Sequence, residues 1–201
     1  MKKKIKKNDT LLIATHNKGK AKEFRKLFSL YNINTIFSYE LNLIEPEETG
    51  NTFKENSELK AQSAINKGHV VVADDSGLCV KALNDQPGIY SARWADENGG
   101  WDNAMYKIYE NLKKKKCSNF SAKFYCSLTI AWSEKIYSSY SGEVSGNISW
   151  PPKGLNGFGY DPIFLPNNQK LTFGEMTKKE KMKIDHRFKA FTKLIKKHFV
   201  C

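Results

Sequence analysis

The chain has 201 residues, with 33 Lys plus Arg against 21 Asp plus Glu and a formal net charge of +12. With 40% hydrophobic residues and no apolar run near the roughly 18 residues that a bilayer crossing needs, the composition excludes a disordered chain and a membrane partner. The length suits one domain or two closely joined lobes. The Lys-rich start, Met1 to Lys7, is not followed by the apolar stretch of a signal peptide, so a cytoplasmic protein is expected. The charge is uneven. The start, the run Lys113 to Lys116 and the stretch from Lys178 onward carry the excess, and the remaining chain holds 15 basic and 19 acidic residues, a net of −4. Only Arg25, Arg93 and Arg187 are arginines, the residue type on which base readout leans. Nucleic acid is therefore expected to bind at most weakly, through the Lys-rich segments, which read as solvated. Cys79, Cys117, Cys126 and Cys201 show no CxxC spacing and read as buried or incidental thiols.

In chain order, Asp9 to Thr15 is an apolar run that reads as a buried strand, and from Lys18 the pattern turns helical with Phe24, Leu27 and Phe28 on one face. Ile33 to Phe37 can form a second strand, and Glu40 to Gly50 is an acidic loop. Thr52-x-x-Glu55 has the form of a capping box, which predicts a helix from Thr52 to Lys67, closed by Gly68. Val70 to Ala73 then reads as a strand that delivers Asp74-Asp75-Ser76-Gly77 at its C-terminal end. Asn84 to Gly100 reads as loop, Trp101 to Lys116 as helix, and Phe120 to Ser133 with Lys135 to Ile148 as a hairpin. A Gly-rich loop leads to a short strand at Pro162 to Leu165, and a second capping box, Thr177-x-x-Glu180, opens one C-terminal helix. The fold class expected is α/β with a mixed sheet flanked by helices.

Four constellations carry chemistry. Ala14-Thr15-His16-Asn17-Lys18-Gly19-Lys20-Ala21 nearly fits a phosphate-binding P-loop but lacks its first Gly and its terminal hydroxyl, the group that would hold Mg²⁺. The N–H groups at the helix start and Lys20 still suit a phosphate, whereas the plainer reading is an ordinary turn capped by Asn17. Any metal would need other ligands. Glu45-Pro46-Glu47-Glu48 and Asp74-Asp75 are the densest carboxylate clusters, and such hard oxygen donors suit Mg²⁺; a solvated acidic loop and an Asx turn are the plainer readings. Gly154-x-x-Gly157-Phe158-Gly159-Tyr160-Asp161 allows close backbone approach, with Phe158 or Tyr160 offering a π face to a base, or else forms a turn with core aromatics. Lys181 and His186, about 140° apart on one ideal helix, share no tight stripe unless the first turn bends.

Taken together, these residues resemble the inosine triphosphate pyrophosphatases, which act on noncanonical purine nucleoside triphosphates. The matching pieces are Ala14 to Lys20 with Glu23, Glu47 to Asn56, Ala73 to Leu78, Pro87 to Arg93, Gly157 to Phe164, and Lys181 with His186-Arg187, in the family's order over residues 11–195. His16 stands where Gly is common in that family, and Asp185 where Ser is usual. The resemblance implies two lobes around an elongated sheet with the active site in the cleft between them, a homodimer, and Mg²⁺-dependent hydrolysis of ITP, dITP and XTP to the monophosphate and pyrophosphate, which cleanses the nucleotide pool. On that basis residues 1–9 form a basic tail and 10–201 a single catalytic domain. Asp75 is the expected catalytic residue, and Glu48 and Asp75, with Asp74, the expected metal ligands. Thr15, His16, Asn17, Lys18, Gly19, Lys20 and Ser76 are expected at the phosphates. Phe158, Gly159, Tyr160, Asp161, Lys181, His186 and Arg187 are expected around the base and sugar, with Arg187 or His186 reading the 6-keto oxygen. A pyrophosphatase of related fold acting on pyrimidine or modified nucleotides, and a basic nucleic-acid-binding protein, are the alternatives.

Overall fold

A computed structural model of the chain describes residues 3–65, 68–116 and 118–200. Met1 and Lys2 of the Lys-rich start, the expected helix end at Lys67, Cys117 and Cys201 lie outside the described residues. The elements in chain order are β1 (Ile5–Lys6), β2 (Thr10–Ala14), α1 (Lys18–Ser29), β3 (Asn34–Phe37), α2 (Phe53–Ser63), β4 (Val70–Val80), β5 (Gln86–Pro87) and α3 (Ser91–Glu97). There follow α4 (Trp101–Lys114), β6 (Ser121–Ser133), β7 (Ile136–Ile148), β8 (Phe164–Pro166), α5 (Lys178–Met182), α6 (His186–His198) and β9 (Phe199–Val200). The main sheet has the order β3-β2-β4-β6-β7-β8, with β5 paired to β4. The β2 pairings with β3 and β4 are parallel, and β4–β5 and β7–β8 are antiparallel. The mixed α/β class expected from the sequence is thus the one observed.

The chain divides into two compact units. The first comprises Met1–Asp75, Cys126–Gly142 and Arg187–Cys201, and the second Ser76–Tyr125 and Glu143–His186. In the first unit Leu11, Leu12 and Ile13 are wholly buried, as befits a strand paired on both edges in a parallel sheet whose faces are covered. Helix α1 buries Ala21, Phe24, Leu27 and Phe28, each large side chain contributing about 1.5–3 kcal/mol. Phe28 meets Phe191 of α6 edge-on at 5.0 Å. The second unit has its own core, in which Leu78, Ile108, Leu112, Phe164 and Phe173 are buried.

The connection order places a site. The chain leaves β2 through α1 to β3 on one side and later returns through α2 to β4 on the other, so the C-terminal end of β2 is a topological switch point, where open α/β sheets bind ligands.

The structure departs from the sequence reading at five places. Strand β4 does not end at Ala73; it runs on to Val80, so Asp74 and Asp75 are mid-strand. The reason is partner exchange: β2 ends at Ala14, opposite Ala73, while Cys79 and Val80 pair with β5. The acids stand just past the last β2 pairing. Helix α3 occupies part of the expected loop 84–100; Ser91 at its start accepts from the Leu78 N–H and donates to the Gly88 carbonyl. At α2 only half of the capping box forms. Thr52 accepts from the Glu55 N–H, but the Glu55 carboxylate takes the Asn51 N–H. The C-terminal helix is two helices, α5 and α6, and Asp185 stands just before the second, a position where Asp and Ser are both favoured caps.

The Lys-rich start is the fifth. It is not wholly a solvated tail, because Ile5 is fully buried and β1 pairs in parallel with β9. Lys4 Nζ donates to the Lys197 carbonyl, and His198 Nδ1 lies 2.9 Å from the Lys3 carbonyl. Ile5→Ala should cost about 2 kcal/mol, the low end for a buried Ile truncation. For a chain of this size that lowers Tm by about 4–8 °C. An unshifted melting curve would show β1 to be undocked. Among the described residues no helix is long and apolar enough to cross a membrane.

Candidate active site

Where β2 ends, the chain turns into α1 through Thr15-His16-Asn17. Asn17 Oδ1 accepts the Lys20 N–H at 3.0 Å, so Asn17 is the N-cap, and Thr15 Oγ1 accepts the Asn17 N–H at 3.2 Å. Lys18 is exposed, and Gly19 and Lys20 are half-buried in the first turn. His16 Nε2 lies 2.7 Å from the Leu43 carbonyl and Nδ1 3.6 Å from Glu45 Oε2. His16 therefore binds the turn to the acidic loop, a contact that Gly, common here in the resembling family, lacks.

Beside this turn, Asp74 and Asp75 face different surroundings. Asp74 is 0% exposed at its side chain, and Lys20 Nζ stands 3.0 Å from its Oδ1. Arg187 approaches its Oδ2 with Nε at 3.4 Å and Nη2 at 3.3 Å, and the Cys126 thiol sits 3.7 Å away. Arg187 also pairs through Nη1 with Glu23. Burial alone would raise the Asp74 carboxyl, but Lys20, Arg187 and Lys60 outweigh it and hold the group well below the usual carboxylate range.

Asp75 has fewer cations. Burial pushes its carboxyl up to about 6, against the pull of Lys60 and Lys20, and Glu48 adds to the rise. Two adjacent acids are thus separated, one a fixed anion and the other able to exchange a proton near neutrality, as a base requires. Asp75 Oδ2 accepts from Asn56 Nδ2 at 3.1 Å, and Oδ1 lies 3.9 Å from Lys60 Nζ, which pairs with Glu48 Oε1 at 2.5 Å. Burial works against the Lys60 charge, yet Asp75, Glu48 and Asp74 raise its pKa.

Glu48 and Asp75 thus converge on a single positive charge, the arrangement a cation site requires. Among the described residues no group of three or more His, Cys, Asp or Glu forms a ready cage. A pair of carboxylates is a donor set that fits Mg²⁺, which keeps most of its waters and is held by one or two carboxylates plus substrate phosphates. Asp74, expected as a third ligand, is instead held by Lys20 and Arg187, whose two charges already compensate its own.

The second unit carries a different group. Asp161, 2% exposed, accepts the Phe158 N–H at 2.9 Å and Lys181 Nζ at 2.7 Å through the same oxygen. That ammonium lies 5.1 Å from the centre of the Phe158 ring and 5.4 Å from that of Phe173. At Gly157, φ is +77° and a Cβ would fall 2.0 Å from Asp161 Oδ2, so only Gly fits there. His186 lies flat on Phe124 at 4.9 Å, within the same aromatic group as Phe173. Lys181 lies on α5 and His186 opens α6, so the 140° separation expected on a single helix does not apply to them. Gly159 turns against Trp101, and Ser76 is half-buried on β4. Tyr160 is not available to a base as expected: it is 2% exposed, edge-on to Trp101 at 5.2 Å, with its hydroxyl donating to the Ser91 carbonyl. Arg187, expected at the base, belongs to the first unit and meets Asp74 and Glu23.

Sequence reading missed Asn56 and Lys60 as site residues. The signal was the helical stripe of α2: its buried positions, Asn56, Ser57, Lys60 and Ala61, include polar side chains where an ordinary surface helix would turn apolar ones inward.

Comparison with known proteins finds relatives along nearly the whole chain. A sequence profile of the Ham1 family matches residues 11–197. The protein named dITP/XTP pyrophosphatase in Zymomonas mobilis is 44% identical over 187 residues, covering 92% of this chain and 90% of that one. The protein of the same name in Rhodopseudomonas palustris is 43% identical over 195 residues, covering 92% and 93%. The solved structure of a HAM1 protein from Coxiella burnetii superposes with a TM-score of 0.84 at 35% identity, over 92% of this chain and 96% of that one. The Ham1 protein of Staphylococcus aureus gives 0.79 at 37% identity, over 92% and 96%. Matched along nearly its whole length by profile, sequence and three-dimensional structure, the chain belongs to the Ham1 family.

Proposed function

We propose that this chain is a dITP/XTP pyrophosphatase that hydrolyses deaminated purine nucleoside triphosphates, ITP included, between the α- and β-phosphates, releasing the monophosphate and pyrophosphate and so cleansing the nucleotide pool. The observation that carries the reading is at the end of β2, beside the middle of β4, where Lys20 of the Thr15 to Lys20 turn meets Asp74 and Glu48 and Asp75 face the same Lys60 ammonium. The N–H groups at the start of α1, with Lys20, bind the triphosphate, and Ser76 contacts it. Glu48 and Asp75 hold Mg²⁺, which when bound withdraws charge from the phosphate oxygens. Asp75 orients the attacking water and takes its proton. The face of Phe158 takes the purine ring, and Lys181 and His186 supply donors toward the 6-keto oxygen. Adenine presents an amino donor at that position, and two facing donors left unpaired are costly. The family resemblance adds a cytoplasmic homodimer.

A substrate panel tests this reading. dITP and XTP should exceed dATP and dCTP, which present an amino group in place of the keto oxygen, in kcat/KM by at least about 10-fold, the scale of one unpaired buried polar group. Equal turnover across the panel contradicts it. In Lys181→Met the dITP to dATP ratio should fall by at least about 10-fold, the value of one lost charged hydrogen bond; an unchanged ratio removes Lys181 from base reading.

A further inference from the structure

Helix α2 presents Asn56 and Lys60, one turn apart, to Asp75 from its buried side. Asn56 is completely buried. Its Oδ1 accepts the Gly50 N–H at 2.8 Å, and its Nδ2 donates to Asp75 Oδ2 at 3.1 Å. A backbone N–H can only donate and a carboxylate oxygen only accept, so the carboxamide has a single workable orientation. It bridges the loop that carries Glu48, two residues before Gly50, to the strand that carries Asp75. The approach is close: a Cβ at Gly50 would come within 2.6 Å of Asn56 Oδ1 and 2.7 Å of Glu55 Cβ. Ser57, the neighbouring residue, packs the helix separately, with its Oγ 3.0 Å from Ser127 Oγ and 2.8 Å from Thr129 Oγ1.

The bridge makes the two oxygens of Asp75 unequal. Oδ2 is held by the amide, whereas Oδ1 faces Lys60 and, through it, Glu48. We infer that Asn56 is a positioning residue for the hydrolytic site: it sets the spacing of Glu48 and Asp75 and reserves Asp75 Oδ1 for the cation and the attacking water. The inference rests on the function proposed above. Asn56 touches no substrate; it acts through Asp75 and through the loop.

The experiment compares Asn56→Ala, Asn56→Asp and Ser57→Ala with the unaltered protein. Mn²⁺, visible by magnetic resonance, is titrated into each protein without nucleotide, alongside melting curves and dITP kinetics. Loss of an outer-shell partner of a metal ligand characteristically costs about 10–100-fold in metal affinity or activity. Asn56→Ala should therefore bind Mn²⁺ at least about 10-fold more weakly and lose kcat by a similar factor, with KM for dITP changed less than about threefold. Asn56→Asp keeps the acceptor for Gly50 but loses the donor to Asp75, so it should not restore kcat. Ser57→Ala should lower Tm and leave Mn²⁺ affinity and kcat in place. If Asn56→Ala lowers Tm while its folded fraction keeps full Mn²⁺ affinity and kcat, the residue only packs the helix and the inference is overturned. Full kcat in Asn56→Asp overturns it as well. If the unaltered protein makes no pyrophosphate from dITP, the proposed function fails on its own, and the Mn²⁺ titrations still judge the bridge.

Discussion

Asp75→Asn should lower kcat for dITP by at least about 10²-fold while the protein stays folded, the scale of a lost general base. The substitution preserves size, and the Asn56 amide can still donate to the remaining oxygen at Oδ2. What disappears is the negative charge facing Lys60 and the basic oxygen on the Glu48 side. Since burial already disfavours the Asp75 anion, its removal should not destabilise the fold, and Tm should hold or rise. Steady-state kinetics together with a melting curve check both halves. Near-normal turnover would remove Asp75 from the centre of the reaction, whatever the melting curve showed.

Arg187→Met is expected to give the largest loss of stability. The guanidinium is 2% exposed and pairs with Asp74, itself 0% exposed, and with Glu23. Removing one partner of a buried ion pair costs about 3–5 kcal/mol, and Asp74 is then left with Lys20 alone of the two cations that touch it. Tm should fall by about 6–20 °C for a chain of this size. Asp74→Asn combined with Arg187→Met should recover part of the loss, because the stranded charge goes with it; a double-mutant cycle measures that coupling. If the single variant melts like the unaltered protein and only its preference for dITP over dATP changes, Arg187 reads the base and the ion-pair account of it is wrong.

The contrast between these residues shows what the sequence makes legible. The strands and helices of the first unit follow from apolar runs, from Asn17 at a cap and from the spacing of Phe24, Leu27 and Phe28, all of which are local signals. The candidate pair Glu48 and Asp75 was visible as charge density at a loop and a strand. The partner of each charge was not visible, because pairing is set by tertiary packing: Lys60 reaches Glu48 across 12 positions of chain, and Arg187 reaches Asp74 across 113. Tyr160 illustrates the same gap, since an aromatic in a Gly-rich loop reads equally as a base platform or as core, and only Trp101 and the Ser91 carbonyl decide it. The length of β4 was hidden for a related reason. Asp-Asp-Ser-Gly looks like a turn, and pairing with strands distant in sequence, β2 before it, β5 after it and β6 as the other neighbour of β4, keeps it extended.

His16 and the Lys-rich start depart from the family's pattern, and the structure gives each a physical place. One binds the turn between β2 and α1 to the acidic loop, and the other adds a short strand to the C-terminus. Lys113 to Lys116 has no comparable place: Lys114 pairs with Glu110 and Lys115 donates to the Ala82 carbonyl, which are surface contacts worth little.

The central claim is cleavage between the α- and β-phosphates, and phosphorus NMR of the products formed from dITP and Mg²⁺ tests it most directly. The account predicts dIMP and pyrophosphate in equal amounts with no orthophosphate; release of orthophosphate with dIDP would contradict it.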